Sequence, residues 1–329
     1  MITPSFALTA TERVLPKLAL DFATAILDPR ITFTRSGNTA TVTNSSGVIV
    51  GINANLPRFD YNPTTLVCQG LLIEEARTNL LLNSLINGTI LATQTVTTTA
   101  VAHTLSFYGT GQIVLTGTSS ATVVGTGAYP SRKTLTFTPT AGVLTLTVTG
   151  TVQFAQLEIG AFATSYIPTE ASQVTRTADL ATMTGTNFSD WYNASEGAIV
   201  AAATVLAVTG AAAFPQMMSV SDGTNNNIMY VGIRLQDGRG WVSVRNSNST
   251  TVNFDPLTGS AVTNPKIGFG YRLNNCVGAY SGNTVSIDTA TAVPVVDRMT
   301  IGSSFNGHLK SINYYSQRLT NAEVQSFSK

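Results

Sequence analysis

Charge is what this sequence has least of. Only 11% of its residues are Asp, Glu, Lys or Arg, against about 25% in an ordinary soluble domain. The net charge is +1, from 18 basic and 17 acidic residues, and no basic cluster concentrates it. A nucleic-acid partner needs such a footprint, so that class is disfavoured. Two histidines, His103 and His308, are too few for a histidine-rich metal site. The two cysteines, Cys68 and Cys276, lie far apart; two buried free thiols are favoured over a disulfide. No run reaches the roughly 18 apolar residues of a membrane helix, and membrane insertion is not expected. Glu12, Arg13, Lys17 and Asp21 interrupt a mildly apolar N-terminus, which argues against a cleaved signal peptide and for folding in a cytoplasm. There is no Gly-x-Ser-x-Gly elbow, no P-loop and no zinc spacing. No internal repeat points to a solenoid or propeller.

Thr, Ser, Asn and Gly stand where the charges are missing, and 43% of the chain is hydrophobic. This composition suits a neutral, hydrogen-bonding β protein. At 329 residues the chain is long for one core and ample for two. Short period-two runs bounded by turn residues recur along it. In residues 1–69 they are sparse: 18–22, 31–35, 39–43 and 48–50, followed by the rigid connector Pro57-Arg58-Phe59-Asp60-Tyr61-Asn62-Pro63. Residues 104–108, 112–116, 134–138, 143–149 and 153–159 predict one sandwich. After a polar link at 171–186, residues 197–208, 217–220, 228–235, 241–245, 267–272, 276–280, 284–288 and 298–301 predict a second. Asp222-Gly223 and Asp237-Gly238 mark hairpins. Near the C-terminus, Thr320 and Glu323 form a capping box flanked by Leu319 and Val324, so a short helix should end the chain. The expected architecture is all-β. An N-terminal short-strand attachment segment (1–69) precedes a middle sandwich (70–170), a linker (171–186) and a C-terminal jelly roll (187–329).

Residues 70–83, Gly-Leu-Leu-Ile-Glu-Glu-Ala-Arg-Thr-Asn-Leu-Leu-Leu-Asn, embed charges in the densest apolar run. Such charges must be paired or reach water. The run is expected to enter the middle sandwich and 156–159 to leave it. Leu71, Leu72 and Ile73 should be buried, with Arg77 partnering Glu74, Glu75 or Glu158.

Three strings carry a resemblance. Pro57-Arg58-Phe59-Asp60-Tyr61 leading into residues 70–80, together with Gln156-Leu157-Glu158-Ile159-Gly160 and Ala163-Thr164-Ser165-Tyr166-Ile167-Pro168-Thr169, resembles a family of tailed-bacteriophage virion proteins described as head-spike, tail-fibre or tail-spike components. The middle region of that family looks like a carbohydrate-binding-module-type jelly roll. Residues 305–315 with Arg318-Leu319-Thr320-Asn321-Ala322-Glu323-Val324 are similar to the C-terminal signature of laminin-G/concanavalin-A-like jelly rolls. The resemblance implies a virion location after assembly in the host cytoplasm, other virion proteins and a host cell-surface glycan as partners, and a homo-oligomer, with a trimer favoured. A purely structural capsid decoration or tail connector is the main alternative; a polysaccharide depolymerase is the third.

Candidate sites follow. Glu74 and Glu75 invite a glycosidase reading, but neighbours on a strand point to opposite faces. Glu74, Arg77 and Glu158 are therefore assigned structural roles, and no catalytic residue is expected. Sugars stack on flat aromatic faces. Trp241, Tyr230 and Tyr271, with Arg245, are the glycan candidates; Trp191, Tyr192 and Tyr280 are further aromatics of the region. Core packing is the competing reading for each aromatic. Laminin-G-like domains often bind Ca²⁺ at loop carboxylates, which makes Asp222 and Asp237 candidates; each precedes Gly, so each also reads as a turn residue.

Overall fold

The computed structural model describes residues 14–84, 91–206, 215–234 and 236–329. It is nearly all β, in antiparallel sheets, with a short C-terminal helix. The expected strands at 197–208 and 228–235 appear as Glu196–Val205 and Ile228–Ile233; residues 207–208 and 235 lie outside the described residues.

Two sheets enclose the larger core. One runs Ser286–Asp288, Cys276–Tyr280, Lys266–Arg272, Glu196–Val205, Gly307–Tyr315, Cys68–Ile73, Phe59–Tyr61. Leu18–Asp21 pairs along the remaining length of Gly307–Tyr315, with Leu18 opposite Tyr314. The other runs Thr32–Thr34, Leu180–Thr184, Arg298–Ile301, Gln216–Ser221, Ile228–Ile233, Gly240–Asn246, Ser249–Phe254. Alternation sends Ile199, Ala201 and Ala203 of one strand into the shared core. Ala198 and Val200 face the other way, beneath the terminal helix Asn321–Phe327. With both faces covered, that strand reads as an unbroken Ala/Val run. The helix is capped as its sequence requires: Glu323 N donates to Thr320 Oγ1 at 3.3 Å and Thr320 N donates to Glu323 Oε2 at 2.7 Å. Val324 is fully buried against the sheet, where a Cβ on Gly268 would lie 2.8 Å from its carbonyl oxygen.

The smaller sandwich has a four-stranded sheet (Ala121–Val124, Gln112–Gly117, Gly142–Thr149, Gln94–Thr98) and a three-stranded one (Lys133–Phe137, His103–Tyr108, Gln153–Ile159). Leu105, Phe107, Ile113, Leu115, Leu144, Leu146 and Leu157 form its core. Threonines fill the outer positions and bond across strands, as Thr104 and Thr136 do at 2.9 Å.

The sheets do not follow the expected divisions at 69, 170 and 186. Leu18–Asp21, Thr32–Thr34, Phe59–Tyr61 and Cys68–Ile73 all belong to the larger sandwich. Leu180–Thr184, inside the expected linker, is one of its interior strands, with Ala181 and Met183 buried. The physical reason is edge completion. Short strands without a core of their own bury their apolar faces by extending sheets built from the other end of the chain. The smaller sandwich is thus an insertion, leaving through Arg77–Asn79 and returning through Val174–Arg176, which pair with each other. Residues 70–73 are the last strand before that departure rather than the first strand of the insert. Leu71, Leu72 and Ile73 are buried, and a Cβ on Gly70, at φ +117°, would lie 2.2 Å from Leu309 O.

Candidate functional site

The site builds from strand parity. On Ile228–Ile233, residues Met229, Val231 and Ile233 point into the larger core, so Ile228 and Tyr230 face out. On Gly240–Asn246, Val242 and Val244 point in, so Trp241, Ser243 and Arg245 face out. The register sets Tyr230 opposite Ser243 and Ser243 opposite Asn253. Ile228, Tyr230 and Trp241 form a small apolar cluster of their own on this outer face. The tyrosine and indole rings meet edge to face, 4.5 Å between centroids and at 70°. Trp241 Nε1 donates to Asn253 Oδ1 at 2.8 Å, which fixes the indole. Burial pushes the Tyr230 phenol up to about 12, against the opposing effects of Ser243 and Arg245, so it stays a neutral donor and acceptor.

These residues line an open cavity of about 450 Å³ with Ser243, Asn253 and Asp255. Its size falls in the range of about 300–1,000 Å³ typical of ligand pockets. Asp255 is engaged by Arg234 Nε at 3.2 Å. Arg234 also faces Asp237, which bonds Arg239. Arg245 has no carboxylate partner among the described residues; its Nη2 donates to Asn248 Oδ1 at 3.0 Å. The cavity is therefore lined by two largely buried aromatic rings (Tyr230 7% and Trp241 6% exposed), amide and hydroxyl groups, and one guanidinium without a carboxylate partner among the described residues. Among the described residues Asp255 is the only carboxylate lining it, so they do not supply a carboxylate pair for glycoside hydrolysis there.

The structure brings Trp241, Tyr230 and Arg245 together and separates Tyr271 from them. Tyr271 is completely buried in the opposite sheet. Its hydroxyl donates to Asn193 O at 2.7 Å and lies 2.8 Å from the Tyr314 hydroxyl. Trp191 and Tyr280 are core residues as well, and Tyr192 packs against that core.

Asp222 and Asp237 serve as turn and ion-pair residues. Asp222 Oδ1 accepts from Thr224 N at 2.9 Å and its Oδ2 from Asn227 Nδ2 at 2.8 Å. Asp237 Oδ2 accepts from Arg239 Nε at 2.8 Å; burial opposes its ionisation, yet the arginines hold its carboxyl below the usual range. Among the described residues no group of acidic, His or Cys side chains is arranged to hold a metal ion. Cys276 is buried and Cys68 half-buried, both free.

The charges of residues 70–83 resolve into two separate arrangements. Glu74 is buried: its Oε2 accepts from Arg58 Nη1 at 2.8 Å and from Ser165 Oγ at 2.6 Å, and lies 3.0 Å from Arg176 Nη1. Burial works against the ionised form, but Arg176, Arg58 and the Ser165 bonds hold the carboxyl well below the ordinary range. Asp179 joins Arg58 to Arg35, accepting from Arg35 Nη1 at 3.1 Å. Glu75 is the partner of Arg77, at 2.5 Å, and Arg77 also lies over the Phe162 ring at 4.6 Å. Glu158 accepts from Gln156 Nε2 at 2.8 Å and Thr164 N at 3.0 Å; burial pushes its carboxyl up. Sequence reasoning missed Arg35, Arg176 and Asp179. Their only signal is that each is a charge in a chain where charges are scarce.

No family model matches this chain, and no curated protein does. Solved structures do show partial likeness. The carbohydrate-binding module CBM40 of the Ruminococcus gnavus IT-sialidase, bound to α2,3-sialyllactose, is 16% identical over 42% of this chain and 84% of its own, at a TM-score of 0.35. The leech intramolecular trans-sialidase is 16% identical over 41% of this chain and 23% of its own, at 0.34. A botulinum neurotoxin type C structure, described by cell entry through two ganglioside molecules, is 9% identical over 45% and 39%, at 0.34. No residue role is carried from them to this chain.

Proposed function

We propose that this protein is a non-catalytic glycan-binding component of a phage particle, and that the outer-face cavity of Tyr230, Trp241 and Arg245 is its recognition site. The supporting observation is the convergence of these three side chains from two neighbouring strands on a face that the core does not use. Aromatic rings take the apolar faces of a sugar ring, and Ser243 and Asn253 take its hydroxyls. Arg245, lacking a carboxylate partner among the described residues, favours a sugar that carries a carboxylate or sulfate. The site is an open cavity, so useful avidity comes from many copies on one particle. The sequence resemblance to head-spike, tail-fibre and tail-spike proteins supplies the particle.

A glycan array probed with the full chain and with Trp241→Ala tests this. Wild type should retain acidic glycans and the variant should lose them. Particles assembled with Trp241→Ala should adsorb to host cells more slowly while staying intact. Array binding that is equal for both proteins would sink the recognition site. Normal adsorption by the variant particle would leave a structural decoration or connector as the better reading.

A further inference from the structure

A second cavity lies between the two sandwiches. Its volume is about 330 Å³. The larger sandwich contributes Asp60, Tyr61 and Gln69; the smaller contributes Tyr108, Tyr129 and Arg132. Tyr108 and Tyr129 pack edge to face, 5.2 Å between centroids. The Tyr129 hydroxyl donates to Thr43 Oγ1 at 3.0 Å, on the separate two-stranded sheet of Ala40–Thr43 and Ile49–Ile52. The walls are thus aromatic on both sides, one tyrosine pair from the insert and Tyr61 from the body.

The charged side chains at these walls are held by hydrogen bonds. Asp60 Oδ1 accepts from Thr43 N at 2.9 Å, and its Oδ2 meets His308 Nε2 at 2.8 Å and Gln69 Nε2 at 3.3 Å. Glu74, which also lines the cavity, is neutralised by Arg58 and Arg176. Arg132 donates to Thr164 O and Ser106 Oγ, both at 2.8 Å, and stands within the electrostatic reach of Glu158. An anionic ligand would meet the carboxylates of Asp60 and Glu74, while the guanidinium that is not ion-paired among the described residues, Arg132, has both Nη atoms already bonded to Thr164 O and Ser106 Oγ. A purely apolar one would strand the carboxylate of Asp60 and the amide of Gln69 without water. The ligand that fits both constraints has apolar faces for tyrosine rings and hydroxyls that donate as well as accept.

We propose that the cleft between the sandwiches is a second carbohydrate site, specific for a neutral sugar ring. It is independent of the outer-face cavity and opposite to it in charge preference. Because its walls come from both modules, a ligand held there also bridges the insert to the body. The two sites together would read one neutral and one acidic unit.

The test is ¹⁹F NMR of the full chain labelled with 3-fluorotyrosine, whose ten tyrosines give a resolvable spectrum. Assignment uses Tyr61→Phe, Tyr129→Phe and Tyr230→Phe. The probes are galactose, glucose and N-acetylglucosamine, each paired with galacturonate, glucuronate or N-acetylneuraminate. At least one neutral sugar should shift the Tyr61 and Tyr129 signals saturably, with Tyr230 unmoved. Its acidic counterpart should bind there at least ten-fold more weakly. The effect should persist in Trp241→Ala, whose outer site is lost, and disappear in Tyr61→Ala and Tyr129→Ala, whose Tyr230 signal should stay at its native position. Neutral sugars that leave both cleft tyrosines unmoved overturn the proposal. So does a cleft that takes the uronates as well as the neutral sugars. Loss of the Tyr230 response alone bears only on the outer cavity.

Discussion

At the level of one residue, Glu74 is buried and held ionised rather than poised as a general acid. A general acid must hold a proton near working pH, whereas Arg176 and Arg58 keep Glu74 ionised. Its contribution to stability follows from the sign of that shift. The folded value lies below the unfolded value near 4.5. The stabilisation is therefore complete above that pH and is lost as pH falls toward the depressed folded value. Denaturant midpoints should decline as pH drops below the ordinary carboxylate range, and more shallowly in Glu74→Gln. That variant leaves two buried guanidiniums short of a partner and should lose about 3–5 kcal/mol at neutral pH. A Glu74→Gln midpoint equal to wild type would contradict the network. The same residue scale separates the aromatic candidates. Tyr271 shares its strand parity with Ile267 and Phe269, which marks it as inward. Tyr230 alternates with Met229, Val231 and Ile233, which marks it as outward. Parity was thus readable in the sequence for both tyrosines, but ranking by residue type alone placed them together.

At the level of elements, the strands with strict apolar alternation were legible to within a residue or two; Gln153–Ile159, Cys276–Tyr280 and Arg298–Ile301 match their sequence readings throughout. The terminal helix was legible because a capping box is a local signal. Thr320→Ala should cost about 1 kcal/mol, seen as a lower unfolding midpoint; an unchanged midpoint would mean the cap contributes nothing. Ser249–Phe254 was not read as a strand because its Ser, Thr and Asn residues leave few apolar positions, though Val252 and Phe254 are buried. Leu180–Thr184 escaped for the same reason: Ala181 and Met183 are too few to register as a face. Gly70 has a different lesson. Gly70→Ala puts a methyl against Leu309 O at a positive φ, so it should disrupt the pairing of Cys68–Ile73 with Gly307–Tyr315. Ordinary yield and native stability for Gly70→Ala would refute that close approach.

For the whole molecule, the division into domains was the least legible feature. Pairings such as Leu18 with Tyr314 and Arg35 with Asp179 join positions far apart in the chain, and nothing local in either segment announces the other. The consequence is testable. Residues 187–329 expressed alone lack Leu18–Asp21, Thr32–Thr34, Cys68–Ile73 and Leu180–Thr184, and expose Leu309 and Ile312. This fragment should fail to give a cooperative unfolding transition. Folding of 187–329 on its own would restore the simpler tandem arrangement. The aromatic side of the outer cavity, by contrast, sits on the consecutive strands Ile228–Ile233, Gly240–Asn246 and Ser249–Phe254, so Tyr230, Trp241 and Arg245 lie close in sequence and could be found there.

The central claim is that Trp241 and its neighbours hold a sugar. Calorimetric titration of the acidic glycan best retained on the array, into wild type and Trp241→Ala, measures it directly. We expect the variant to bind more than about ten-fold more weakly, a loss of at least 1.4 kcal/mol, at a temperature where both proteins are folded, since Trp241 is only 6% exposed and its truncation also lowers the unfolding midpoint. Equal affinity in the two proteins would contradict the site.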